Sequence, residues 1–253
     1  MPAILIDLNA DLGERPGDAG LAADAELLRY VSSANVACGY HAGDGATMQA
    51  VCALAVALHK RIGAHVSYLD PEGFGRRELE VPAARLQEHV VAQIGALRVA
   101  ARVAGGEVRY VKPHGALYHR ACGDASVART IVEAVASVDR SLALLGMPDS
   151  ELLRAADAAG LSGVAEGFAD RAYLAGGALA PRTRAGALLS VEAALAQARE
   201  ITFAQRAPAL DGGEVPLRVR SLCVHSDTPG AAELARRLRD HLIGAGAEIR
   251  PFT

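Results

Sequence analysis

Short apolar runs alternate with longer stretches of helical periodicity along the whole chain. The short runs cover residues 4–8, 34–38, 62–64, 108–111, 142–145, 163–165 and 222–224, with 248–251 a further strand candidate at the end. They are brief and rich in Ile, Val, Leu or Ala, which reads as buried strands. Between them, residues 47–61, 83–104, 126–137, 150–159, 191–205 and 229–245 carry apolar residues at three- and four-residue spacing, which predicts helices. Pro82 suits the first turn of the second helix, Gly105-Gly106 closes it, and Ser190 is placed to cap the fifth. Strands alternating with helices predict an α/β fold. Seven or eight strands in 253 residues predict one TIM-like (β/α) barrel, residues 1–253 forming a single domain. Residues 68–81 and 169–189 carry neither period and read as long loops, which are often functional.

The polar residues give this pattern its meaning. The first run leads into Asn9 and Asp11, the second into His41 and Asp44, the third into His65. Later runs lead into Lys112 and His114, into Glu166, and into His225 and Asp227. Parallel strands of a barrel open at one face, where such folds place their chemistry. Asp11, His41, His65, Lys112, His114, Glu166 and His225 are therefore expected to line one pocket. Strand alternation points Asn9 and Asp11 to the same side. Arg76 and Arg77 in the first long loop could hold a carboxylate or phosphate bidentately. Asp170, Arg171 and Tyr173, with Arg182 further on, place two more cations and a carboxylate in the second. Plainer readings stand beside these: Asn9 and Asp11 as turn formers with Glu14 solvated, Asp44 as a helix N-cap, and Asp170–Arg171 or Glu166–Lys112 as structural ion pairs. His59, His89 and His241 fall in helical patterns, and His119 reads as peripheral.

Composition narrows the field. Apolar residues make up 51% and charged residues 22%, enough for a sizeable core. Net charge is −3 without a basic stripe, which argues against nucleic acid and anionic membrane surfaces as partners. The first residues lack a basic region before the apolar run, so neither a signal peptide nor a span is expected, and the cytoplasm is the expected compartment. Cys38, Cys52, Cys122 and Cys223 lack CxxC spacing and read as reduced packing residues. Lys60 and Lys112 are the only lysines among 26 basic residues. A chain that uses Arg nearly everywhere keeps Lys beside His114, and Lys can lose its proton or act as a compact point charge. No Walker A, GxSxG or HExxH motif is present. Three His with Asp groups in one mouth could bind a divalent metal, and the sequence leaves that open.

The strings DLNADLGE (7–14), SANVACGYHAGD (33–44), VKPHGALY (111–118), EGFADRAY (166–173) and CVHSD (223–227), with GAH and GFGRR within 63–77, resemble the LamB/YcsF family of 5-oxoprolinase components. The likeness runs in order through nearly the whole chain. It implies a seven-stranded (β/α) barrel of the glycoside hydrolase/deacetylase type. It also implies ATP-dependent opening of 5-oxoproline to L-glutamate, with ATP and Mg²⁺ as cofactors and 5-oxoprolinase subunits B and C as partners. On that reading Asp11, His41, Lys112, His114 and Glu166 are the catalytic candidates. Asn9, Asp44, His65, Arg76, Arg77, Asp170, Arg171, Tyr173, Arg182, His225 and Asp227 are candidates for binding substrate or ATP. The alternatives are a metal-dependent deacetylase-type hydrolase acting alone and a ligand-binding component that does not react.

Overall fold

The computed structural model describes residues 4–225 and 230–253. Its strands are β1 (Ile4–Leu12), β2 (Ser33–Ala37), β3 (Arg61–Val66), β4 (Val108–Pro113), β5 (Ala143–Gly146), β6 (Gly163–Phe168), β7 (Arg206–Pro208), β8 (Glu214–Pro216), β9 (Ser221–Val224) and β10 (Ala247–Ile249). Strands β1 to β6 and β9 pair in parallel, and β9 pairs back onto β1, closing a seven-stranded barrel. The expected TIM-like barrel is thus the fold. The candidate strand at 248–251 is no eighth stave: among the described residues β10 pairs only with Ile4–Ile6 of β1, outside the closure. A two-stranded antiparallel hairpin, β7 with β8, was not anticipated.

Among the described residues, eight α-helices surround the barrel: α1 (Gly17–Leu28), α2 (Gly45–Ala57), α3 (Ala83–Val103), α4 (Gly115–Gly123), α5 (Ala125–Val138), α6 (Glu151–Ala158), α7 (Val191–Arg199) and α8 (Ala231–Gly244). Neither α1 nor α4 is evident in the periodicity: both are short and each carries two glycines. The predicted helix at 47–61 stops at Ala57, since β3 begins at Arg61. A π-helical turn, Glu200–Ala204, follows α7. Asp44, Ser150 and Ser190 cap α2, α6 and α7 by accepting from backbone N–H groups.

Strand β1 shows how the layers form. Ile6, Leu8, Ala10 and Leu12 are buried in the apolar layer between strands and helices, and each fully buried leucine contributes on the order of 2 kcal/mol. The alternate residues Asp7, Asn9 and Asp11 share the opposite face, as the two-residue period of a strand requires. They are buried too, and the barrel interior is therefore a hydrogen-bonded polar column. Asp7 accepts from Ser32 and Ser33 hydroxyls at 2.6 Å, and from Ser221. Above it, the Asn9 amide donates to Ser221 Oγ at 2.7 Å and to Glu166 Oε2 at 3.2 Å. The Asn35 amide donates to Asn9 Oδ1 at 2.7 Å and Asp11 Oδ1 at 2.8 Å, while Tyr110 Oη donates to Asn35 Oδ1 at 2.7 Å. Gly63 makes room for that tyrosine: a Cβ there would lie 2.1 Å from the Tyr110 ring. Among the described residues, no helix is long and apolar enough to cross a membrane.

Candidate active site

The strands extend through their polar residues, so Asn9, Asp11, His65, Lys112 and Glu166 are strand residues rather than loop residues. That fixes them on a rigid frame. Lys112 is buried at the end of β4, its Nζ 3.1 Å from Glu166 Oε2, 3.4 Å from Asp11 Oδ1 and 3.2 Å from both Asn9 Oδ1 and Cys223 Sγ. Burial alone would lower its pKa, but Asp11, Cys223 and Glu166 outweigh burial and hold the ammonium well above its ordinary value. Of the two roles a lysine can take, these contacts favour a compact positive charge. For Asp11, burial pulls upward, yet His65 and Lys112 prevail and keep its carboxyl well below the usual carboxylate range.

Beside this floor, Glu14, His41, His65 and His114 converge. Each offers one ligand atom, all within 4.8 Å of one another, and these residues could hold a metal ion. Glu14 Oε1 lies 3.1 Å from His41 Nε2, 3.4 Å from His114 Nδ1 and 3.7 Å from His65 Nε2. The His41 and His114 rings stack with centroids 3.8 Å apart. Burial, aided by neighbouring His65, pushes both imidazoles down to about 3, so they are neutral at physiological pH. Neutral imidazole is the form that binds metals. The loop at 68–81 packs onto this cluster. Asp70 accepts from Gly73 N at 3.0 Å and Arg77 Nε at 2.8 Å, which shapes the turn. The turn presents the Phe74 carbonyl to His114 Nε2 at 2.9 Å, and Gly75, with φ +65°, seats against His41 and His114.

A cavity of about 390 Å³ opens above both groups, within the size range of small-ligand sites. Asp11, His65, Lys112, His114 and His225 of the expected seven line it. His41 lies behind the His114 ring, and Glu166 lies beneath Lys112. Arg76 from the first loop and Arg171 and Arg182 from the second border the cavity. Asp170 does not line it but accepts from His225 Nδ1 at 2.9 Å. Burial would lower His225, and Asp170 outweighs that, raising it above its ordinary value. Phe168 stacks on its ring at 5.5 Å.

Several expected binding residues sit elsewhere. Asp44 is exposed and accepts from Thr47 N at 2.7 Å, the capping role its position before a helix suggests. Arg77 is held by Asp70 and does not border the cavity. Tyr173 is buried and its hydroxyl accepts from Phe168 N at 2.7 Å, a structural bond behind β6. Asp227 lies outside the described residues. Two residues were missed. Glu14, read as solvated, has a side chain only 4% exposed and is the hub of the histidine cluster. His119, read as peripheral, borders the cavity. A Glu two residues past a strand end, after a glycine, is a weak local signal. Gly13 N donates to Asp24 of α1 at 2.7 Å, which fixes the turn that delivers Glu14.

The LamB/YcsF family profile matches residues 6–253. A relative from Nocardia farcinica, named as the A component of 5-oxoprolinase, is 51% identical over 247 residues, covering 98% of this chain and 99% of that one. Among solved structures, a lactam utilization protein from Thermus thermophilus superposes with a TM-score of 0.90 at 41% identity, covering 98% of this chain and 99% of that one. A family 4 carbohydrate esterase from Streptomyces lividans shares the fold, with a TM-score of 0.52 at 13% identity over 98% and 93% of the two chains. With a whole-length profile match and relatives at half identity, this chain belongs to the LamB/YcsF family.

Proposed function

We propose that the chain is the A component of an ATP-dependent 5-oxoprolinase, opening 5-oxoproline to L-glutamate together with subunits B and C. The name borne by relatives of about half identity supports this. The observation that carries it in the site is the buried Lys112 ammonium, held between Asp11 and Glu166 at the floor of a small cavity bordered by three arginines. A five-membered lactam carries one carboxylate, and the cationic wall suits it. Lactam opening requires water to add at the ring carbonyl, the C–N bond to break and the nitrogen to take a proton. Phosphorylation of the amide oxygen by ATP, with Mg²⁺, releases ADP and activates the ring carbon; after water adds and the C–N bond breaks, a second water releases phosphate from the resulting acyl phosphate.

In this reading Lys112, with Arg76, Arg171 and Arg182, stabilises the negative charge that develops on oxygen. In this reading the His225–Asp170 pair delivers the proton to the departing nitrogen, a role that the upward shift Asp170 gives His225 supports. Asp11, ionised and directly beside His65 and Lys112, orients water in this reading rather than taking up its proton. His114 and His41, neutral and packed, fit a ligand role better than acid–base work. Mixing the chain with subunits B and C, 5-oxoproline, ATP and Mg²⁺ should yield glutamate and ADP. No turnover with partners of proven competence would end the proposal.

One observation favours a second reading, a metal-dependent hydrolase acting alone: the Glu14/His41/His65/His114 cluster. It predicts hydrolysis of an N-acyl substrate without ATP or partner subunits, and the same assays separate the two.

A further inference from the structure

We propose that Glu14, His41, His65 and His114 bind one divalent transition-metal ion of the Zn²⁺ class, through three ring nitrogens and one carboxylate oxygen. Two backbone carbonyls set the tautomers. His65 Nδ1 lies 3.1 Å from Lys112 O, and His114 Nε2 lies 2.9 Å from Phe74 O. A carbonyl oxygen can only accept, so each of these nitrogens carries a hydrogen. With one hydrogen on each ring, the remaining nitrogens, His65 Nε2 and His114 Nδ1, are both lone-pair acceptors, yet they face each other at 3.0 Å, with Asp11 Oδ1 3.3 Å from His65 Nε2. Two acceptors at hydrogen-bond distance repel unless a proton or a metal cation lies between them. Histidine ligands of metals usually donate their second ring N–H to a carbonyl or carboxylate, as these two do.

The separations fit a metal. Ligand atoms of a tetrahedral zinc ion, about 2.0–2.1 Å from the centre, stand roughly 3.3–3.4 Å apart. Here the measured ligand-to-ligand distances are 3.0, 3.1, 3.4 and 3.7 Å. The remaining nitrogen of His41, Nδ1, is buried and makes no hydrogen bond. If Nε2 carried a proton for Glu14, the buried Nδ1 lone pair would have no donor. Three imidazoles and one carboxylate suit zinc, cobalt or nickel; magnesium and calcium prefer oxygen ligands throughout.

A second group of possible ligands, Asp11, Cys223 and His225, does not pass the same test. The Lys112 ammonium stands 3.4 Å from Asp11 and 3.2 Å from Cys223 Sγ, so a cation already occupies that place. The two groups share the cavity, and Glu14, His65 and His114 all border it, so an ion held by them would be reachable from the cavity.

The test uses the full chain, stripped with chelator, dialysed, and titrated with Co²⁺ and Zn²⁺ by calorimetry and visible absorption. One equivalent per chain is expected, with the intense d–d bands of tetrahedral Co²⁺ displaced by Zn²⁺. His65→Ala and His114→Ala should each weaken binding at least roughly 100-fold, whereas His241→Ala on α8 should leave it unchanged. The wild-type titration stands even if a variant fails to fold. No stoichiometric binding, weak octahedral bands, or binding untouched in folded His65→Ala and His114→Ala would each overturn the proposal. So would nitrogen NMR showing a single proton shared by the His65–His114 pair that added metal does not displace.

Discussion

Lys112 Nζ lies 3.1 Å from Glu166 Oε2 with both side chains almost fully buried, and Asp11 completes a triad of one positive and two negative groups. The charges do not balance, so the three side chains are not equally costly to remove. Lys112→Met leaves two carboxylates buried together and should cost about 3–5 kcal/mol of stability. Glu166→Gln leaves a neutral Lys112–Asp11 pair and should cost less, about 1–3 kcal/mol. Urea unfolding of the two variants checks the order, and equal losses would contradict the triad. Both variants should lose glutamate formation.

Asp170 raises the pKa of His225. If protonated His225 is the acid, activity persists up to its raised pKa and falls as pH climbs through it. Asp170→Asn removes the main charge that lifts it. The alkaline limb of the pH–rate profile should then move to lower pH, with little change in KM. An unmoved limb would remove His225 from the acid role.

Burial pushes the Asp24 carboxyl of α1 from 3.8 up to about 6. The folded chain therefore binds a proton more tightly there than the unfolded chain, so Asp24 lowers stability as pH rises from 3.8 to about 6. The full shift corresponds to roughly 3 kcal/mol. His41 and His114, held down to about 3, act the other way: their contribution is complete above 6.5 and is lost as pH falls towards 3. Asp24→Asn keeps an oxygen for Gly13 N and removes only the carboxyl's titration. Its stability relative to wild type should be highest above pH 6 and decline towards pH 4, the histidines acting alike in both proteins. Denaturant midpoints at the two ends of that window give the sign directly.

Gly75 carries φ +65°, and a Cβ there would stand 2.3 Å from Ser67 Oγ and 2.9 Å from His41 and His114 atoms. Gly75→Ala should cost at least about 1–3 kcal/mol for the backbone alone and displace both histidines. Gly45, at the start of α2, has open space and no positive φ. Gly45→Ala should be neutral or slightly stabilising, which makes it the matched control in thermal unfolding and metal titration.

The strands were legible because each is a compact β-rich run, and the barrel followed from their number and alternation with helices. Lys112, Asp11 and Glu166 were legible as polar residues ending apolar runs, with a Glu166–Lys112 ion pair as the plainer reading. Glu14 was not, because its importance comes from His41, His65 and His114 on three other strand ends, and nothing within its own stretch of chain marks it. Asp44 shows the opposite error. A carboxylate in a glycine-rich turn before a helix looks like site chemistry, but the local capping rule was sufficient. Tyr173 was drawn into the site by its motif, whereas its hydroxyl satisfies the Phe168 amide. Helix α1, short and interrupted by Gly20, escaped the periodicity although its Asp24 anchors the turn before Glu14.

Strand β1 pairs with β2 and β9 and also holds β10. A strand's side chains alternate, so a slip of one residue would throw Asp7, Asn9 and Asp11 among the helices and drive Leu8, Ala10 and Leu12 into the barrel. Faulty assembly and lost chemistry would then be one event. A misregistered molecule would be unstable and inert together, so quality control that removes unstable chains would remove the inactive ones as well.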